Sequence, residues 1–308
     1  MSRFPNNKNF AFSIFDDTDN STVERIGPVY RLLRELGFRT TKSVWPLAGA
    51  LGARFGGSTL QDRYYLRWIE DLSREGFEIG LHNVRSGSAP RETIERGFEE
   101  FRIRLGEYPR VHANHSDNCE NIYWGSWRLS RPFSRLAYNL ATFYRDHQTF
   151  SGHMPDSEFF WGDICKDRIR FVRNFVFDEI NLERINPTLP YHDPSKPFVN
   201  FWFSSCEGGD VAKSCDMISE ANQDRLAAES GICILYTHFA SGFCKQGKVH
   251  PVFERLLRRL SKLNGWFVPV SELLEFLLAG KRQRTIPAGE LRRMENRWIR
   301  YKMRVGRG

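Results

Sequence analysis

The stretch Phe10-Ala11-Phe12-Ser13-Ile14-Phe15-Asp16-Asp17-Thr18-Asp19 decides how the rest of the chain is read. Its first six residues form a short apolar run bounded by polar groups, the pattern of a strand buried on both faces of a parallel sheet. The run ends in a carboxylate cluster. In parallel α/β folds, sites lie where strands end at their carboxyl edge, so Asp16, Asp17 and Asp19 are placed to hold a metal ion or to move a proton. A plainer use for Asp19 or Ser21 is to cap the helix that follows.

Outward from this stretch, strands and helices alternate. A helix is expected over 23–36, closed by Gly37, with Pro28 placing its start at about Ile26. Strands follow over 39–45, 77–82 and 110–115, separated by helices over 60–75 and 91–105 that close at Gly76 and Gly106. Residues 116–165 are aromatic-rich and irregular, an excursion across one face. The alternation resumes with strands over 169–177, 198–204, 232–237 and 266–270 and helices over 219–230, 251–263 and 271–278. This order predicts an α/β fold, an irregular (β/α)7-8 barrel occupying residues 1–280.

The chain has 308 residues, 41% hydrophobic and 27% charged, ordinary values for a globular protein. No apolar run reaches the ~18 residues of a membrane span, and the first residues lack an apolar signal region, so a cytoplasmic location is expected. Residues 281–308 hold ten Lys/Arg against Glu290 and Glu295, which accounts for the whole net charge of +8 and leaves the remainder neutral. The high isoelectric point therefore gives no argument for nucleic-acid binding. This basic tail is expected to be helical, with Leu291, Met294, Trp298 and Tyr301 on one stripe. The stripe suits an anionic membrane surface, a protein partner, or the chain's own barrel. The six cysteines (119, 165, 206, 215, 233 and 244) include no C-x-x-C pair, so reduced structural thiols are expected.

Four strand ends supply chemistry-bearing groups: Asp16, Asp17 and Asp19; His82 and Asn83; His112, Asn114, His115 and Asp117; and His238. Carboxylates with imidazoles suit Zn²⁺ or a similar divalent ion, and a neighbouring carboxylate can act as general base. The motif order resembles the NodB-type polysaccharide deacetylases, carbohydrate esterase family four. Ser13-Ile14-Phe15-Asp16-Asp17 stands where that family has T-F-D-D, Gly76-Phe77-Glu78-Ile79-Gly80-Leu81-His82 matches its metal-histidine motif, and Leu235-Tyr236-Thr237-His238 matches its late L-L-H-D motif. The resemblance implies Asp16 as catalytic base, Asp17 and His82 as metal ligands and His238 as general acid.

Departures are evident. Ser86 occupies the position of the family's second metal histidine, Thr18-Asp19 replaces Gly-Pro, and Phe239 replaces the late aspartate. His115, with His112 as the alternative, is the expected third ligand, since only one of them faces inward if the extended geometry persists. Arg110, His112, Asn114, Trp124 and Trp161 are candidate substrate contacts. The aromatics Tyr123, Trp127, Phe159 and Phe160 serve equally as sugar platforms or as a local core.

The implied function is a Zn²⁺-dependent hydrolase that removes an acetyl group from an N-acetylated sugar in polysaccharide or glycoconjugate biosynthesis. Two alternatives stand beside it: a non-catalytic carbohydrate-binding or assembly protein with a degenerate metal site, and a glycoside hydrolase pairing Asp16 with Glu207.

Overall fold

The computed structural model describes residues 3–142, 150–280 and 284–305. Seven strands, β1 (Phe10–Asp16), β2 (Thr41–Val44), β3 (Glu78–Leu81), β4 (Val111–His112), β5 (Phe171–Phe177), β6 (Phe201–Cys206) and β7 (Ile232–Thr237), pair in parallel in chain order. β7 returns to β1 in register from Ala11↔Ile232 to Asp16↔Thr237, closing a seven-stranded barrel. A small antiparallel hairpin, β8 (Cys244–Lys245) and β9 (Lys248–Val249), follows. β10 (Gly265–Phe267) pairs with Phe10–Phe12, while β2 pairs with Phe15–Asp16, so β1 has partners along both edges. All seven residues of β1 are buried, as its uninterrupted apolar run requires.

The helical layer consists of α1 (Val23–Glu35), α2 (Arg63–Arg74), α3 (Arg91–Leu105), α4 (Pro132–Ala141), α5 (Gly162–Arg168), α6 (Val211–Met217), α7 (Glu220–Ala228), α8 (Pro251–Leu260), α9 (Val270–Ala279) and α10 (Ala288–Val305). α1 starts about one turn before the expected Ile26. Thr22 caps it by accepting from the Arg25 N–H, and buried Ile26, Val29 and Leu33 compensate for the donor that Pro28 lacks. Because Thr22 is the cap, Asp19 and Ser21 are not used for that purpose. Asp62 caps α2 through the N–H groups of Tyr64 and Tyr65, and left-handed Gly106 ends α3. β10 is shorter than expected: Pro269 precedes α9, whose first N–H, on Val270, is held by Thr41 Oγ1. The excursion holds two helices, α4 and α5, that aromatic composition did not signal. All six cysteines are free thiols.

Among the described residues, the β5-to-β6 connection contains a single 3₁₀ turn, Leu182–Arg184, and no α-helix. α10 covers that part of the barrel. Its stripe Leu291, Met294, Trp298 and Tyr301 is buried against the chain itself. Trp298 stacks on Tyr138 of α4 at 5.2 Å and lies 5.2 Å from the Phe175 ring of β5. Two acids of the tail are consumed as local caps: Glu290 accepts from the N–H and hydroxyl of Thr188, and Glu295 from those of Ser130. The stripe is therefore not free for a membrane or partner. Lys281, Arg282 and Arg307 lie outside the described residues. No helix among the described residues is long and apolar enough to cross a membrane.

Removing the Trp298 ring leaves a cavity between α10, α4 and β5. Trp298→Ala is expected to lower the unfolding free energy by about 3–5 kcal/mol, measured by urea denaturation.

Candidate functional site

Side chains alternate along β1, and the alternation continues into the turn that follows it. Phe15 and Asp17 point into the barrel, where Phe15 meets Phe203 of β6 and the Arg173 guanidinium of β5. Asp16 and Thr18 point toward the helices. Asp16 accepts from the Tyr30 hydroxyl (3.0 Å) and the Phe239 N–H (2.8 Å), and pairs with Lys42 at 3.1 Å with both side chains wholly buried. Thr18 meets the Tyr65 hydroxyl. The chain then turns, with the Ser21 N–H returning to the Thr18 carbonyl and Asn20 left-handed at φ 55°. That turn presents Asp19 on the same side as Asp17.

Asp19 is the centre of the site. Its Oδ1 lies 2.8 Å from His115 Nε2, and its Oδ2 lies 3.2 Å from His82 Nε2 and 3.1 Å from His238 Nε2. Asp17 Oδ2 stands 3.8 Å from His82 Nε2 and 3.9 Å from His238 Nε2. Arg173 grips both oxygens of Asp17, at 2.9 and 2.6 Å. Each imidazole is oriented from behind through Nδ1: His82 by the Ala113 carbonyl (3.0 Å), His238 by the Gly209 carbonyl (2.9 Å) and His115 by Asn118 Oδ1 (2.8 Å). At His82 and His115 the oxygen acceptors at Nδ1 turn Nε2 toward Asp19, the orientation a metal ligand requires, while His238 keeps its own role. Trp45 stacks near His82 (6.3 Å between centroids) and meets the His115 ring edge-on at 5.6 Å, with Phe55 on the other side at 5.2 Å.

The charges respond to this crowding. Burial alone would raise the Asp19 carboxyl, but His82, His115 and His238 together hold it well below the ordinary carboxylate value. Burial likewise opposes ionisation of Asp17, and Arg173 overrides it and keeps that carboxyl low. Asp16 moves the other way: burial raises it, and Lys42, the Phe239 N–H and Tyr30 offset only part of the rise. Burial disfavours a charge on His238, yet Asp19 and Asp17 push it up to about 9.

Two sets of ligand atoms fall within 4.8 Å of one another, Asp19–His82–His115 and Asp17–Asp19–His238. These buried Asp/His sets suit a divalent ion, with nitrogen and carboxylate oxygen as donors. The fit has a specific mark: His115 Nε2 is buried and makes no hydrogen bond of acceptable geometry, although Asp19 is only 2.8 Å away. A lone pair aimed past its neighbour into the centre of the cluster is what a metal would use.

The structure brings Asp17, His82, His115 and His238 together and separates them from the other sequence candidates. Asp16 is turned to the helix side, so the roles read from the motif shift along the chain to Asp17 and Asp19. Arg110 lies at the start of β4, the opposite end of the barrel, paired with Glu275 of α9. His112 faces away from the cluster; its Nε2 meets Asn114 Oδ1 and its ring abuts Trp161. Asn114 fastens the excursion by bonding both the N–H and the carbonyl of Ile122. Trp161 is buried, its N–H on the Glu120 carbonyl. Trp124 is half-buried under the Arg128 guanidinium. Glu207 is occupied by the Tyr301 hydroxyl and the Gly209 N–H. With Asp16 sealed in its ion pair with Lys42 and Glu207 so occupied, these two carboxylates do not form the pair that a glycosidase would use. Sequence reasoning missed Arg173, whose signal was a lone cation inside the apolar run Phe171-Val172-Arg173-Asn174-Phe175: a buried charge demands a partner.

No family model and no curated protein matches this chain. Solved structures do. A protein described as "putative polysaccharide deacetylase from Mycobacterium smegmatis" is 12% identical, with 92% of this chain and 96% of that chain aligned at a TM-score of 0.52. The chain has the polysaccharide deacetylase fold. PuuE allantoinase shares it, at 12% identity, 90% and 93% coverage and a TM-score of 0.50. So does the protein described as "probable Polysaccharide deacetylase from Pseudomonas aeruginosa PAO1", at 10% identity, 90% and 93% coverage and a TM-score of 0.50.

Two substitutions separate the neighbouring aspartates. Asp19→Ala is expected to abolish zinc binding in equilibrium dialysis while the fold persists. Asp16→Asn is expected to keep a zinc site but to lower stability by about 3–5 kcal/mol, because Lys42 is left buried without its counter-charge. A third test concerns pH. Burial pushes His112 down to about 3, so it stays neutral in the folded chain while the unfolded chain takes up a proton near pH 6.5. Stability is therefore lost as pH falls below 6.5, by up to about 1.4 kcal/mol per unit. His112→Gln should flatten that part of the urea-midpoint profile relative to wild type between pH 4 and 7.

Proposed function

We propose that this protein is a metal-dependent hydrolase that removes an acetyl group from an N-acetylated sugar. The observation that carries the reading is the convergence of three Nε2 atoms on Asp19 with a second carboxylate, Asp17, beside them. Asp19, His82 and His115 would hold the ion, and Zn²⁺ is the metal whose ordinary ligands match this set. When bound, such an ion polarises an acyl carbonyl and makes water a nucleophile near neutral pH. The sugar substrate and the biosynthetic setting come from the family resemblance and the shared fold, and are proposals here.

The chain's own groups divide the proton work. Asp17 is ionised at neutral pH and held in one orientation by Arg173, so it is placed to accept the proton of the attacking water. The pairing with Arg173 weakens it as a base but fixes its position, and position is what general catalysis needs first. His238 is the most open of the imidazoles, with 21% of its side chain exposed against 2% for His82 and His115. The neighbouring carboxylates favour its protonated form, and it stands 3.9 Å from Asp17, placed to protonate the leaving amine. Glycine at 209 lets its carbonyl hold His238 Nδ1 while the backbone packs close to Tyr236.

A non-catalytic binding protein would keep the fold but has no use for a fixed carboxylate–guanidinium pair beside three oriented imidazoles. The test is acetate release by zinc-loaded protein from acetylated chito-oligosaccharides and from nucleotide-linked N-acetyl sugars. Asp17→Asn should bind zinc as the wild type does and lose about 10²–10⁴-fold in rate. Zinc-loaded wild type that releases no acetate from any member of the panel would overturn the hydrolase reading.

A further inference from the structure

Ser86 stands where the resemblance expects a second metal histidine, and its hydroxyl is buried without a hydrogen-bond partner. The loop that carries Ser86 is nevertheless tightly held. Asn118 Nδ2 donates to the carbonyls of Arg85 (3.0 Å) and Gly87 (3.1 Å), the two residues flanking Ser86. The same amide donates to Glu120 Oε1 at 2.6 Å. Glu120 is 1% exposed, and every contact of its carboxylate is internal: Oε1 also receives Asn83 Nδ2 (2.9 Å), and Oε2 receives the Ala89 N–H (3.1 Å). One carboxylate therefore ties the loop after β3 to the turn after β4.

The network ends at His115. Asn118 Oδ1 accepts from His115 Nδ1 at 2.8 Å, and Asn83 Oδ1 accepts from the His115 N–H at 2.8 Å. Asn121 Nδ2 donates to the His115 carbonyl and Asn83 Nδ2 to Asn121 Oδ1. Asn83 adopts φ 53°, a left-handed conformation that asparagine tolerates, and this turns its amide from the strand toward the network. The Glu120 backbone is fixed as well, its carbonyl taking the Trp161 N–H at 2.6 Å, with Gly152 so close that a Cβ there would overlap the carbonyl oxygen. Glu120 is thus buried with its carboxylate held by three donors, the amides of Asn83 and Asn118 and the Ala89 N–H.

We propose that Glu120 is a positioning residue that makes His115 a metal ligand in place of the histidine absent at 86: it orients both amides that grip His115, Asn118 at Nδ1 and Asn83 at the backbone. The proposal rests on the metal-centre reading above. The chain Glu120 carboxylate–Asn118 amide–His115 imidazole sets the ring's tautomer and angle so that Nε2 faces the cluster beside Asp19. Outer contacts of this kind typically change metal affinity about 10–100-fold when removed.

The test uses the full chain, zinc alone as the probe with a competing chelator, and Co²⁺ substitution to read ligand geometry from the visible spectrum. Glu120→Gln keeps the shape but sets an amide N–H₂ against one of the three donors. It should weaken zinc binding about 10–100-fold and shift the Co²⁺ bands, while cooperative urea unfolding is retained. In a His115→Ala background the same substitution should change zinc affinity no further, because its effect runs through that ring. Wild-type affinity in Glu120→Gln, or an undiminished loss in the His115→Ala background, overturns the proposal. If Glu120→Gln fails to fold, Asn118→Ala decides instead: it removes the acceptor at Nδ1 together with the amide that donates to Glu120 and to the Arg85 and Gly87 carbonyls, and must show the same coupled loss, with wild-type affinity overturning the proposal. Wild-type protein that binds no zinc would instead overturn the metal centre itself.

Discussion

A strand offers its successive side chains to opposite faces, and at β1 that constraint organises the whole molecule. The strand is buried throughout and bordered along both edges, so it cannot slip by a residue without driving the core of one face into the other. Asp16 and Asp17, identical in chemistry and adjacent in sequence, are thereby given different environments. One joins Lys42 under the helices; the other joins Arg173 inside the barrel. Each ion pair is removed from water, and each is satisfied by further hydrogen bonds, the condition under which buried charge is tolerated. The two pairs pin the end of β1 from both sides, and the turn that follows can then set Asp19 among the imidazoles.

The imidazoles come from three separate strand ends, yet all are held in the same manner, with an oxygen behind Nδ1 and Nε2 pointing inward. Two of those oxygens are backbone carbonyls, that of Ala113 just past β4 and that of Gly209 in the loop after β6. The third is a side-chain amide, that of Asn118, in the turn that follows β4. Side-chain hydrogen bonding takes over where the sheet ends, which is why the asparagines are concentrated at 83, 114, 118 and 121.

How legible this was follows from the range of the forces involved. Apolar runs alternating with amphipathic segments express local periodicity, so the barrel could be read from the chain directly, and its seven-strand closure lies within the expected seven or eight. Histidines at strand ends were legible for the same reason: fold topology places them. The identity of the working aspartates depended on facing. Motif alignment pointed to Asp16 and Asp17, whereas alternation from Phe15 separates the two and gives Asp17 and Asp19 a common side. Arg110 illustrates the converse limit: as the residue preceding β4 it lies at the entry to the strand, the wrong end for a site. Arg173 acts on a partner 156 residues away, and Glu120 joins its neighbour Asn118 to Asn83 and Ala89, 37 and 31 residues away, distances at which sequence spacing carries no geometric information.

The missing helix between β5 and β6 has a consequence in time. Every other crossover supplies helical cover from residues made between its two strands, but β5 and β6 wait for α10, which follows all the barrel strands in chain order. Until residues 288–305 leave the ribosome, Phe175 and Ser204 lack their partners Trp298 and Met294, on and beside the strand that carries Arg173. Arg173 stands two residues before Phe175 on the same strand, so the strand that fixes Asp17 is also the one whose outer flank is closed last, by the most basic segment of the chain.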